Sequence, residues 1–188
     1  MRTIHSADPL QPGYSYTLTE KEGNNVAPGF KPQLTPQQML EMGVFGGNYF
    51  EGAIDEYPKA WFQYAKLLAP MFERGFLGET VNKKRDHIRF GRGYDESLNF
   101  FHVDASQSRE EWQRKGWIHK DDPRGWFQWY CRYYMGRRHA DDARQIDRWR
   151  KMARHVLWLH NACSVGDLHC RPRQRQALLH WAYDSTKL

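Results

Sequence analysis

Side chains able to do chemistry crowd the second half of this 188-residue chain. The string Asp122-Pro-Arg-Gly-Trp-Phe-Gln-Trp-Tyr-Cys-Arg-Tyr-Tyr-Met-Gly-Arg-Arg138 carries six aromatic rings and four arginines in seventeen residues. Rings offer flat apolar faces on which bases stack, and guanidinium groups pair with phosphate. Together they grip single-stranded or flipped-out bases. Trp126, Trp129 and Tyr130 are the candidate stacking residues. Arg137, Arg138, Arg144, Arg148, Lys151, Arg171, Arg173 and Arg175 are the candidate phosphate ligands. Asp95, Glu96, His102, Asp104, Asp121 and Asp122 lie near loops or helix starts beside these segments. A base-processing enzyme needs one carboxylate to stabilise charge or activate water, and Asp104, Asp122 and His102 are the expected catalytic groups.

Metal-ligand patterns are weak. His102-x-Asp104 supplies two of the three ligands of a facial iron site, with no later histidine at a supporting spacing. His160, Cys163, His169 and Cys170 surround a Gly166-Asp167 turn, but their spacing matches no usual zinc knuckle or finger. No metal and no cofactor are expected. Three cysteines are too few for a disulfide framework, and an odd number points to a reducing compartment. Cys163 and Cys170 either close a loop as a disulfide or stay reduced, with reduced as the default.

The elements that must position these groups read as mainly α. Residues 1–33 hold scattered Pro and Gly without a sustained period, an extended N-terminal arm. Thr35-Pro-Gln-Gln38 is a capping box that starts a short helix ending near Gly46-Gly47. A second helix is expected from Pro58, with Trp61, Tyr64, Ala65 and Leu68 on a core stripe before Pro70 stops it. Residues 73–97 read as a long basic connection, and Leu98 to Val103 as a short strand or extended segment. Ser108-Arg-Glu-Glu111 caps a helix ending at Gly116. Three helices follow: one opening at Asp122-Pro123 and closing at Gly136, one over Asp141 to Cys163, and one opening around Pro172. The expected fold is a single compact helical domain over 34–188, the arm over 1–33 and at most a short β element.

Spacing assigns faces to those helices. Trp126, Trp129, Tyr130 and Tyr133 share one side, with Phe127, Cys131 and Tyr134 beside them. Most of these rings are expected in the core, with one or two lining a pocket. In the next helix Arg144, Arg148, Lys151 and His155 form a basic ridge opposite an apolar side. In the last, Arg171, Arg173 and Arg175 crowd a first turn whose partial positive charge normally favours carboxylates, so an anion such as phosphate is expected there. Residues 1–105 carry 11 Lys/Arg against 13 Asp/Glu, whereas 106–188 carry 17 against 9. This C-terminal excess points to a polyanionic partner.

Two resemblances add to this reading. The string Asp122 to Arg138 together with Cys170-Arg-Pro-Arg-Gln-Arg-Gln-Ala-Leu-Leu-His-Trp-Ala-Tyr-Asp-Ser185 resembles a widespread protein family over roughly residues 30–188, one that carries no activity with it. Met42-Gly-Val-Phe-Gly-Gly47 is similar to the hairpin of helix-hairpin-helix DNA glycosylases, whose backbone amides touch a phosphate; that similarity implies DNA and transfers no catalytic residue. The expected function is nucleic-acid binding, DNA foremost, extending to glycosylase-like processing of a single base. One alternative is a small-molecule enzyme whose arginines hold a phosphorylated or carboxylated metabolite. The other is a protein-interaction module with an exposed aromatic patch. No apolar run suits a membrane span or signal peptide, so a soluble protein, cytoplasmic or nucleoid-associated, is expected.

Overall fold

The computed structural model describes residues 1–67 and 94–188. Most of the expected basic connection, along with Leu68 and Pro70, lies outside the described residues. Strands β1 (Arg2–His5) and β2 (Ser15–Leu18) pair antiparallel, with Ile4 opposite Tyr16. Five α-helices follow among the described residues: α1 (Pro36–Glu41), α2 (Arg109–Arg114), α3 (Trp126–Met135), α4 (Asp142–Ala162) and α5 (Pro172–Leu179). The molecule is mainly α with one short β pair, as expected.

Helix α3 is the axis of the core. Nine of its ten residues are buried, including Gln128 and Arg132, whose polar groups are met by Asp8, Glu56 and Asp122. The arm packs onto it. Phe30 from the arm sits among Trp129, Tyr130, Tyr133 and Trp149, with ring centroids 4.9–6.1 Å away. The Thr19 and Glu20 amides donate to Gly136 O, and that of Gly23 to Tyr134 O. Gly136 ends α3 at φ 112°, and a Cβ there would lie 2.1 Å from Glu20 O, so only glycine permits this approach.

Four expected elements differ. Asp122 does not cap α3, which begins at Trp126 behind Gly125. Asp122 is instead fully buried, with its two oxygens 3.1 Å from Arg132 Nη1 and 2.6 Å from Arg137 Nη2. An N-cap contributes about 1 kcal/mol, whereas leaving a buried guanidinium unpaired costs about 3–5 kcal/mol, so the ion pair claims the carboxylate. The helix expected from Pro58 is a single 3₁₀ turn, Lys59–Phe62, that buries Trp61 and leaves Tyr64 exposed. It stops because the Lys66 amide turns to Leu40 O. The strand expected at 98–103 is a run of turns around buried Asn99, whose side chain accepts from the Gly46 amide and donates to Val103 O. Cys163 and Cys170, reduced by expectation, form a disulfide between α4 and α5. This removes both thiolates from the zinc set weighed above.

Candidate functional site: an aromatic cleft with an unpaired arginine

A cleft of about 320 Å³ opens between the turn after α1, the segment around α2, the start of α3, the middle of α4 and the end of α5. Its walls are rings. Trp112 comes from α2 and Trp117 from the turn after it, while Trp126 and Trp181 pack with centroids 4.8 Å apart. Phe45 stacks on His180 at 4.2 Å and on Phe127 at 5.6 Å. Phe45 holds φ 62°, a left-handed conformation that β-carbon residues rarely adopt, in a turn continued by Gly46 and Gly47. A Cβ on Gly46 would come within 2.7 Å of the Tyr94 ring. Two glycines are thus needed to set one phenylalanine on the cleft wall.

Arg148 supplies the charge. Its guanidinium lies 5.8 Å from the Trp117 ring centroid and 5.2 Å from that of Trp181. Nη1 donates to Trp117 O at 2.8 Å and to Gln145 Oε1 at 3.0 Å, and among the described residues no carboxylate pairs with it. Burial first, and the neighbouring Arg144 second, lower its pKa to about 10. It stays protonated at neutral pH, yet the shift marks a charge short of a counterion. His180 is the opposite case: burial lowers it to about 3, so it is neutral. Its Nε2 accepts from Gln176 Nε2 at 3.1 Å, which leaves Nδ1–H as its donor.

A second cleft, of about 460 Å³, lies under the arm against Tyr130, Tyr133 and Tyr134. It is walled largely by residues 23–35 and lacks the convergence of indoles and half-buried cation found at Arg148. Among the described residues, His119, Asp121 and His139 are the grouping whose donor atoms come close enough to share a metal ion.

The expected site residues scatter. Trp126 and Arg148 line the same cleft. Exposed Asp104, which accepts from the Ser106 amide, immediately precedes Ala105, Ser106 and Gln107 of its lining. His102, two residues earlier, is exposed at φ 52° with Nδ1 2.8 Å from Ser97 O. The others are elsewhere. Trp129 and Tyr130 are core, with Trp129 Nε1 donating to Asp142 and Tyr130 OH to Leu34 O. Neither lines the cleft that holds Arg148, although Tyr130 borders the one under the arm. Arg137 is 1% exposed and held by Asp122; Arg175 is 0% exposed and donates to the carbonyls of Cys170, Ser185 and Leu188. Neither faces a phosphate. Arg138 donates to Tyr133 O and Arg137 O, closing the end of α3. Arg144 and Lys151 pair with Asp141 and Asp147 one turn away, at 2.6 and 2.7 Å. Arg171 and Arg173 are exposed. The turn at Gly46 resembling a glycosylase hairpin is also occupied, because its buried amide donates to Asn99 Oδ1 at 2.9 Å and so does not reach a phosphate.

Sequence reasoning did not find Trp112, Trp117, Trp181, Phe45 or His180 as cleft residues. They come from three separate segments; Phe45, His180 and Trp181 lie in strings conspicuous for other reasons, and Trp112 and Trp117 in none. Comparison of the chain with protein-family models, curated proteins and solved structures finds no match in any of the three. Among the described residues, no helix is long and apolar enough to cross a membrane.

Proposed function

We propose that the protein binds a small planar aromatic anion in this cleft, its ring against the indoles and its phosphate or carboxylate on Arg148. The reading rests on the guanidinium of Arg148: half-buried among rings, protonated, and paired with no carboxylate among the described residues. A protonated group in such a place gains most from an anion, because a charge-assisted hydrogen bond strengthens as water is excluded. The cleft volume suits a single ring system. Neutral His180 adds a donor without adding charge.

Calorimetric titration separates the two halves of the ligand. Adenosine monophosphate and indole-3-acetate should each bind more tightly than adenosine, indole, phosphate or acetate alone. Arg148→Met should weaken the two anionic ligands by about tenfold or more, since hydrogen bonds to charged groups contribute about 1.5–3 kcal/mol, and leave the neutral rings nearly unchanged. Undiminished affinity of the variant for adenosine monophosphate and indole-3-acetate would refute the reading.

Nucleic acid is the second reading, a strand placing one base in the cleft. It is favoured by Arg154, which lines the cleft and is exposed, and by the outward Arg171 and Arg173. On this reading Asp104 at the rim is the carboxylate for DNA base processing. Single-stranded DNA would then outbind the mononucleotide and lose affinity steeply with salt, whereas a closed-pocket ligand loses little.

A further inference from the structure

His119, Asp121 and His139 converge from two turns, one before α3 and one after it. Their side chains are 27%, 23% and 21% exposed, open enough for an ion to enter. His139 Nε2 lies 3.0 Å from Asp121 Oδ2, and His119 Nδ1 lies 3.7 Å from the same oxygen. One donor atom from each of the three falls within 4.8 Å of the others. Ligands around an ion with bonds of roughly 2.1 Å stand roughly 3–3.5 Å apart, so the separations to Asp121 are already close to those of a metal site.

The charge pattern points the same way. Asp122 holds Arg132 and Arg137, Asp141 holds Arg144, and Asp8 holds Arg124. Within this group the Asp121 carboxylate alone meets no guanidinium among the described residues, although the residue's backbone carbonyl accepts from Arg132 Nη1. Its side chain meets the two imidazoles instead. Two imidazole nitrogens and one carboxylate form a donor set suited to zinc or ferrous iron, with remaining positions open to water.

We propose that His119, Asp121 and His139 bind one divalent first-row transition-metal ion. The backbone around them fixes how this happens. The Asp121 amide donates to His119 Nδ1, and the Asp141 amide to His139 Nδ1, both at 3.1 Å. Each neutral ring therefore carries its proton on Nε2, and His139 gives that hydrogen to Asp121. When the ion binds His139 Nε2, the proton moves to Nδ1 and the Asp141 amide is released to water. At His119 Nδ1 the ion displaces the Asp121 amide, and the proton stays on Nε2. Two local amide-to-ring bonds and the His139–Asp121 hydrogen bond are thus exchanged for three bonds to metal. The site stands independently of the aromatic cleft, although Trp117 and Ile118 of the cleft wall directly precede His119.

The test is titration of the intact protein with Zn2+, followed by calorimetry and by NMR of the backbone amides and imidazole nitrogens. One equivalent should bind, with the largest changes at the Asp121 and Asp141 amides and the His119 and His139 rings. Asp121→Asn and His139→Gln should each weaken Zn2+ by more than about 100-fold, beyond what loss of a merely supporting contact gives, with circular dichroism unchanged. The His160→Gln, His169→Gln double variant should bind as the parent does. The proposal fails if the intact protein takes up no Zn2+, if the double variant removes binding, or if the four NMR signals stay still while Zn2+ binds elsewhere.

Discussion

At the scale of single residues, the four arginines of the conspicuous string each do something different, and none of it was readable locally. Arg124 pairs with Asp8 at a separation of 116 residues, and Arg132 with Glu56 at 76. Arg137 shares Asp122, and Arg138 closes a helix end. Arg132 sits at 0% exposure between two carboxylates, with the rings of Tyr14 and Tyr16 each 5.2 Å from its guanidinium. Arg132→Met leaves Glu56 and Asp122 short of a partner and should cost about 3–5 kcal/mol, read as a lower urea midpoint. Exposed Arg173→Gln should change stability by less than about 0.5 kcal/mol. A similar loss in both variants would show that the buried network is not what holds α3 in place. The sequence made both arginines look like phosphate ligands or their neighbours, because composition registers a guanidinium but not the acid that meets it from a distant segment.

At the scale of elements, local signals worked where the chain itself supplies the partner. The capping box at Thr35 forms with both bonds in place, Ser108 caps α2, and Gly136 ends α3 in a left-handed conformation. They failed where a tertiary bond outbid them, as at Asp122 and after Phe62. Gly136→Ala should therefore destabilise by more than about 1 kcal/mol, whereas the same change in an unstrained position stabilises by about 0.4–1 kcal/mol, since the new Cβ meets Glu20 O and the arm must shift. Thermal unfolding of that variant measures it, and a loss under that figure would mean the arm yields freely. The Cys163–Cys170 bridge closes a short loop between α4 and α5. A Cys163→Ser, Cys170→Ser variant should lose about 2–3 kcal/mol by the chain-entropy relation, and an equally stable variant would show the loop is already held by α4 and α5.

For the molecule as a whole, burial and pairing set how stability responds to acid. His180 titrates at about 3 when folded against an ordinary 6.5, because burial opposes its charged form. Between those values the unfolded chain binds the extra proton, so stability falls as pH drops below about 6.5. Asp8, Asp141 and Asp184 feel burial as an upward push, but their Arg124, Arg144 and Lys187 partners outweigh it and hold them below the usual value of 3.8. Their contribution is present above that value and is lost as pH falls through their folded pKa. The unfolding temperature should decline in two stages, and His180→Asn should flatten the first stage only. An identical acid profile in the variant would remove His180 from the account. The mainly α class and the basic C-terminal half were legible in the sequence. The cleft was not, since its walls come from segments spanning Phe45 to Trp181 and only folding brings them together. The central claim, that a planar anion sits between these indoles on Arg148, is tested most directly by the indole N–H signals of the eight tryptophans in an NMR titration with adenosine monophosphate. Saturable shifts at Trp112, Trp117 and Trp181, with Trp61, Trp129 and Trp149 still and a midpoint raised about tenfold or more in Arg148→Met, are the predicted result; shifts confined to exposed Trp158, or an unchanged midpoint in the variant, would contradict it.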